Sequence, residues 1–330
     1  MTQATRRAFL GGAVAVLSVP APGEAKPPHP PRHIGVLMAT RDDDPVDGGP
    51  GAAALVSGLA EYGWNAGGNL RIDWRWAAGE ESRYRRYAGE LLALGPDLVV
   101  GHASPGVAAL RQLTQSLPIV FVEVTDPVRQ GFVESLAHPG GNTTGFSDFD
   151  LPMGGKWLEM LAQIEPRRSR VAVLFNPATA PFAAAMMPVI EAAARPLGMR
   201  VGAAPVDGVA AVESAISGLA APPSAGLLVL PEAFTAVHRE GIAALAAHYR
   251  VPAVYGFRVA GGLMSYSADG NDLFRRAAVY VDRILLGAKP GDLPVQNPTK
   301  FETIVNLKAA NSLGVTLAPS LLALANQVIE

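Results

Sequence analysis

Ser104 lies two residues after His102 in the run GHASPG, a setting that resembles a strand-to-helix turn carrying a hydroxyl nucleophile. The elbow is incomplete, because His102 stands where the turn needs glycine. His238 and His248 fall in a helix-period segment far along the chain and present no evident base. The Ser104 hydroxyl and the free amides of the helix that follows are better suited to holding a carboxylate. Glu123, Asp126, Asp148, Asp150 and Glu232 lie at or near the ends of apolar runs, where two carboxylates could act as acid and base. No hydrolase-like or metal-binding spacing links them, so a cationic amino group is the simpler partner for one or two. Gly49, Gly51 and Ala54, with Asp73 downstream, mimic a dinucleotide fingerprint. The preceding strand ends near Ala39, and TRDDDPVDG intervenes where a tight turn is required, so nucleotide binding is set aside. Phe146, Phe234, Tyr255 and Tyr266 fall at strand ends and are candidates for stacking on a ligand. Trp64, Trp74 and Trp76 read as packing, and Asp42, Asp43 and Asp44 as solvated loop residues.

Composition narrows the field. The chain has 330 residues, 49% hydrophobic and 17% charged, which describes a globular protein of two domains. A net charge of −2 supplies no basic field for nucleic acid. Six histidines without ligand spacing and the absence of cysteine give no metal site, no disulfide and no lipid-modified cysteine; no cofactor is expected. Residues 1–25 read as a signal peptide. Arg6 and Arg7 precede an apolar run from Ala8 to Val19, a twin-arginine-like pattern, and Gly23 and Ala25 are small residues suited to cleavage after Ala25. Export to the periplasm as a soluble monomer without a lipid anchor is the expectation.

The elements that position these residues alternate. Ile34–Met38, Leu70–Trp76, Asp97–Val100 and Ile119–Val122 read as strands, separated by helix-period segments, which argues a doubly wound parallel sheet. Strand ends then gather Thr40, Ser104, Thr125 and Asp126 on one side. After PGGN (Pro139–Asn142), Thr143–Ser147 reads as a first crossing between lobes, and the rhythm restarts: Arg170–Phe175, Met199–Ala204, Leu227–Leu230 and Pro252–Tyr255 are strands, with one helix spanning Ala233–Tyr249. Their ends bring Asn176, Glu232 and Tyr255 to the second side. Gly262–Ser267 is a second crossing, Phe301–Asn306 a final strand and third crossing, and Pro319–Ile329 an amphipathic helix. A weak repeat, LVVGHASPGVAALRQLTQSLPIVFVEV beside LLVLPEAFTAVHREGIAALAAHYRVPAVYGF, points to two lobes of similar build.

The runs PDLVVGHASPGVAAL, PIVFVEVTDPVRQGFVESLAHPGGNTTGF, VAVLFNPATAPF, GGLMSY and GAKPGDLPVQNPTKFETIVNLKAANSLG closely resemble ABC transporter substrate-binding proteins related to tryptophan-binding transport lipoproteins. The resemblance covers His33 to Glu330. It implies a type I periplasmic-binding-protein fold: two Rossmann-like α/β lobes with parallel sheets, joined by a multi-strand hinge. The expected lobes are residues 33–146 with about 268–300, and 147–267 with about 301–330. It also implies no catalysis and delivery of a small solute, an amino acid or an aromatic or carboxylate compound, to an ABC transporter permease. The alternatives are an exported hydrolase-like enzyme and a ligand-sensing domain of a membrane receptor. Lacking cysteine, the chain departs from lipid-anchored relatives, and YGFRVAGG, residues 255–262, is shorter than the matching loop of relatives. The ligand-binding set expected is Thr40, Ser104, Thr125, Asp126, Phe146, Asn176, Glu232, Phe234 and Tyr255.

Overall fold

Apolar runs bounded by turns set the order of elements in the computed structural model, which describes residues 29–46, 48–220 and 224–330. The signal-like segment over residues 1–25 lies outside them. The first part runs β1 (Arg32–Met38), α1 (Gly49–Glu61), β2 (Leu70–Trp76), α2 (Glu81–Ala93), β3 (Leu98–His102), α3 (Ala103–Leu113), β4 (Ile119–Val122) and β5 (Thr143–Phe146). These strands form one parallel sheet in the order β2-β1-β3-β4-β5. The second part adds α4 (Met153–Ala162), β6 (Ile164–Glu165), β7 (Arg170–Phe175), α5 (Ala183–Ala194), β8 (Arg200–Pro205), α6 (Val209–Ser217), β9 (Ala225–Val229), α7 (Ala233–Val237), α8 (Arg239–His248), β10 (Ala253–Tyr255), β11 (Met264–Ala268), α9 (Gly270–Leu285), β12 (Phe301–Asn306), α10 (Leu307–Leu313), β13 (Thr316–Leu317), α11 (Pro319–Ala323) and β14 (Gln327–Ile329). Its main sheet is β14-β12-β11-β10-β9-β7-β8, parallel except where β12 runs against β11. β6 and β13 form a separate two-stranded ribbon.

Burial explains the layering. β3 and β4 are buried along their whole length, as strands covered on both faces must be. One face of the first sheet is covered by α1 and by α9, which returns from the second part to bury Phe274, Ala277 and Val281 beside Leu55 and Leu59. Each fully buried side chain of this size contributes about 1.5–3 kcal/mol. Gly58 makes the α1–α9 approach possible, since a Cβ there would lie 2.8 Å from the Arg275 carbonyl oxygen. The other face carries α2 and α3.

Four expectations change. Thr143–Phe146 is a fully buried fifth strand of the first sheet, paired to β4, and the crossing begins only at Ser147, whose amide donates to the Gln296 carbonyl at 2.9 Å. Phe301–Asn306 is not itself a crossing but a ladder partner of β11; the chain passes between sheets just before it, where the Asp269 amide meets the Lys300 carbonyl. The segment expected as one helix over Ala233–Tyr249 breaks at His238, at φ −98 and ψ 12, between α7 and α8. The tail is a short helix followed by edge strand β14. There the Asn326 side chain accepts from the Thr303 amide while its own amide donates to the Thr303 carbonyl, a pairing no helical stripe announces.

Candidate functional site

The carboxyl ends of both sheets converge on a cavity of about 490 Å³, within the size range of small-molecule sites. β1 delivers Thr40, β3 delivers His102 and, at the start of α3, Ala103, and β4 delivers Glu123. The crossing after β5 adds Asp148 and Phe149, and α4 adds Met153 and Trp157. The second sheet contributes Glu232 ahead of α7, Phe257 and Arg258 after β10, and Tyr266 on β11 leading to Asp269 at the start of α9.

One pole is acidic. Glu123 adopts φ 58, a left-handed backbone for a residue with a side chain, at the point where β4 ends. Its Oε1 lies 2.3 Å from where a Cβ on Gly270 would be, so a side chain at the start of α9 would push the Glu123 carboxylate aside. His102 fixes the other oxygen. Its Nδ1 accepts from the Ala39 amide at 3.3 Å, which leaves the proton on Nε2 to donate to Glu123 Oε2 at 2.9 Å. Asp148 takes both contacts of the Thr125 hydroxyl, at 2.9 and 3.0 Å, and its neighbour's amide at 2.8 Å. Burial, and then the Glu123 charge, push its carboxyl up to about 8. Asp269 caps α9 through the Asp272 amide at 3.1 Å, and Glu302 closes the pole. The cation on the wall is Arg258, exposed and turned toward Gln327.

The rest of the wall is apolar and aromatic. Trp157, 1% exposed, donates from Nε1 to the Tyr266 carbonyl at 2.8 Å, and Phe149 meets Trp157 edge-on at 5.5 Å. Thr40 is 1% exposed, and its hydroxyl has no hydrogen-bond partner among the described residues.

Of the nine residues singled out in the sequence, Thr40 and Glu232 reach this wall. Glu232 arrives saturated. It accepts from the Thr179 hydroxyl and from the amides of Asn176, Phe234 and Thr235, closing a capping box on α7. Burial pushes its carboxyl up, and those donors pull it back. The other seven lie off the wall. Ser104 accepts from Gln130, Thr125 serves Asp148, and Asp126 pairs with Arg129 at 3.0 Å. The Asn176 side chain accepts from the Ala178 amide. Phe146 packs on Tyr280, with Arg276 over its ring. Phe234 and Tyr255 belong to the core of the second sheet, where burial pushes the Tyr255 phenol above its ordinary range. Phe146 and Tyr255 do end strands, whereas Ser104 and Phe234 fall in the helices that follow, and the sequence could not say which way each side chain turns.

Asp44 is not solvated. It is buried against Arg239 on α8, joining the loop after β1 to the second lobe across one flank of the cavity. Beside this pair, a Cβ on Gly79 would lie 3.2 Å from the Ala233 carbonyl, so the lobes touch there through backbone.

A family model of ABC transporter substrate-binding proteins matches residues 51–329. The chain belongs to that family. The α/β architecture agrees with solved structures that superpose over about 90% of the chain. A conserved domain protein of Vibrio cholerae superposes with TM-score 0.82 at 28% identity, covering 90% of this chain and 99% of that one. An ABC domain from Streptococcus pneumonia, solved in complex with L-Trp, gives TM-score 0.82 at 26% identity over 91% and 100%. A tyrosine-binding protein of Clostridioides difficile is 31% identical over 122 residues, 37% of this chain and 35% of that relative's length. The family is one of substrate-binding proteins of ABC transporters.

Proposed function

We propose that the solute is a zwitterionic amino acid with an apolar or aromatic side chain. The mature chain takes it up as a monomer in the periplasm after export, and hands it to the permease without chemical change. The observation that carries this reading is the division of one cavity into an acidic pole, an aromatic wall and a buried unpartnered hydroxyl. An ammonium group suits Glu123 and Asp148. A carboxylate suits the Thr40 hydroxyl and the free amides at the start of α3. Phe149, Trp157 and Tyr266 suit the side chain. Tryptophan and tyrosine, bound by the two relatives, have this composition. The lack of catalysis is supported by His102, whose ring is committed to Ala39 and Glu123 and offers Ser104 no base.

The test is thermal unfolding of the mature chain, stripped of carried-over ligand by unfolding and refolding, against a panel of amino acids and small carboxylates. A ligand at 100 times its dissociation constant adds about 2.7 kcal/mol, and so several degrees of midpoint. A rise with one amino acid and none with its des-amino analogue is expected; a carboxylate hit with no amino acid hit would overturn the assignment.

Thr40→Val separates binding from folding. Because the hydroxyl is buried without a partner, its isosteric removal leaves the ligand-free midpoint unchanged or higher. Loss of one hydrogen bond to a charged carboxylate then weakens binding about tenfold, at roughly 1.5 kcal/mol. Calorimetry showing wild-type affinity would remove Thr40 from the site.

A further inference from the structure

We propose that Asp148 is a proton-linked binding residue: it stands protonated beside Glu123 in the empty cavity, and gives up its proton when a cationic group enters between the two carboxylates. The proposal deepens the amino-acid reading and rests on it for the identity of the cation.

The geometry places two carboxylates just past the ends of neighbouring strands β4 and β5, on one wall of the cavity. The groups facing Asp148 supply little compensation. The Thr125 hydroxyl donates to it, the Phe149 amide donates to it, and His102 Nε2 meets Glu123 rather than Asp148. Asp269 and Glu302 add further negative charge, Tyr266 is neutral, and Arg258 turns outward to Gln327. A buried carboxyl that shares a cavity wall with a second carboxylate is costly to ionise, and holds a proton instead. The Thr40 hydroxyl, buried without a partner on the same cavity wall, is an independent sign that this space is completed by a ligand.

The proton balance follows. An ammonium arrives already charged, and its attraction to the pair returns the Asp148 pKa toward the ordinary carboxylate range. The O–H bond breaks, the proton leaves to solvent, and the ligand's N–H donates to the resulting carboxylate. In the free protein the Asp148 carboxyl is raised to about 8. Near neutral pH, close to one proton should therefore be released per ligand bound. Affinity should rise as pH increases from 6 to 8, by up to about tenfold per unit, and level off above. Folding carries the opposite sign. The folded empty chain holds a proton that the unfolded chain releases near pH 4, so this group's contribution to stability is present at low pH and declines as pH rises toward 8.

The experiment uses the full mature chain with carboxyl-labelled aspartate, followed by carbon NMR against pH, together with Asp148→Asn. One carboxyl should titrate near 8 in the free wild type and be missing from Asp148→Asn. Saturating L-tryptophan should lower that midpoint by at least two pH units. Calorimetry in buffers of different ionisation enthalpy should show close to one proton released by the wild type and none by Asp148→Asn. A free-protein carboxyl titrating only near 4 overturns the proposal, as does one that stays near 8 with ligand bound. Should L-tryptophan and the rest of the panel fail to bind, the amino-acid reading falls, yet the cation subsite is still decided with methylammonium. A lowered midpoint relative to sodium chloride at equal ionic strength supports the subsite, and an equal midpoint overturns it.

Discussion

An Arg239→Ala chain is expected to bind its solute about 100-fold more weakly than the wild type, with a much smaller change in the midpoint of the ligand-free protein. Arg239 and Asp44 are buried together, with side chains 4% and 6% exposed, and they belong to opposite lobes. Removing the guanidinium takes a cation away from a buried carboxylate, a change that costs about 3–5 kcal/mol when it breaks a buried pair. If parting of the lobes rehydrates Asp44, that cost falls on closing rather than on folding. A penalty of about 2.7 kcal/mol on the closed form is already two decades in the dissociation constant. Small-angle scattering with ligand should show the variant more open than the wild type. Adding Asp44→Ala removes the stranded carboxylate and should recover part of the loss, which a double-mutant cycle measures as coupling between the lobes. Wild-type affinity in Arg239→Ala would show that the pair does not set the open-closed balance.

This ion pair marks where sequence reading stopped. Asp44 sits in a run of three acidic residues in a polar loop, which locally describes a solvated turn, and its partner lies 195 residues away. Nothing in either neighbourhood points to the other. The strands fared better because their signal is local: Ile119–Val122 is a continuous β-branched and aromatic run and is buried throughout. Pattern also brought Thr40 and Glu232 to the correct end of their strands. It could not separate Phe146, Phe234 and Tyr255, which face the cores, from Phe149 and Trp157, which face the cavity, because all are aromatic residues near element ends. Asp148 was visible as an acid near a strand end, but its character depends on its burial and then on Glu123 just past the neighbouring strand, relations that only the folded β4–β5 pairing supplies.

That register carries the second large effect. Gly145→Ala is expected to destabilise the fold by more than about 4 kcal/mol, the level reached when a substitution forces backbone apart. Gly145 pairs with Phe121, and a Cβ added to it would lie 2.0 Å from the Phe121 carbonyl oxygen and 2.6 Å from its amide nitrogen. Both atoms belong to a central buried strand, so no flexible side chain is available to give way. The residue also holds φ 157, outside the range that side chains favour. Its own carbonyl accepts from the Gln296 amide at 3.0 Å, so displacing β5 disturbs the neighbouring connection as well. Ser147 and Asp148 follow directly, which makes ligand affinity fall along with the midpoint rather than independently of it. At a few degrees per kcal/mol for a chain of this size, the midpoint should drop by about 10 °C. Gly202→Ala is the control: on edge strand β8 an added Cβ meets nothing within 4 Å, and restricting the unfolded chain should make that change neutral or stabilising by up to about 1 kcal/mol. Equal midpoints for the two variants would mean that β5 does not lie against β4 in this register, and that Glu123 and Asp148 are not neighbours.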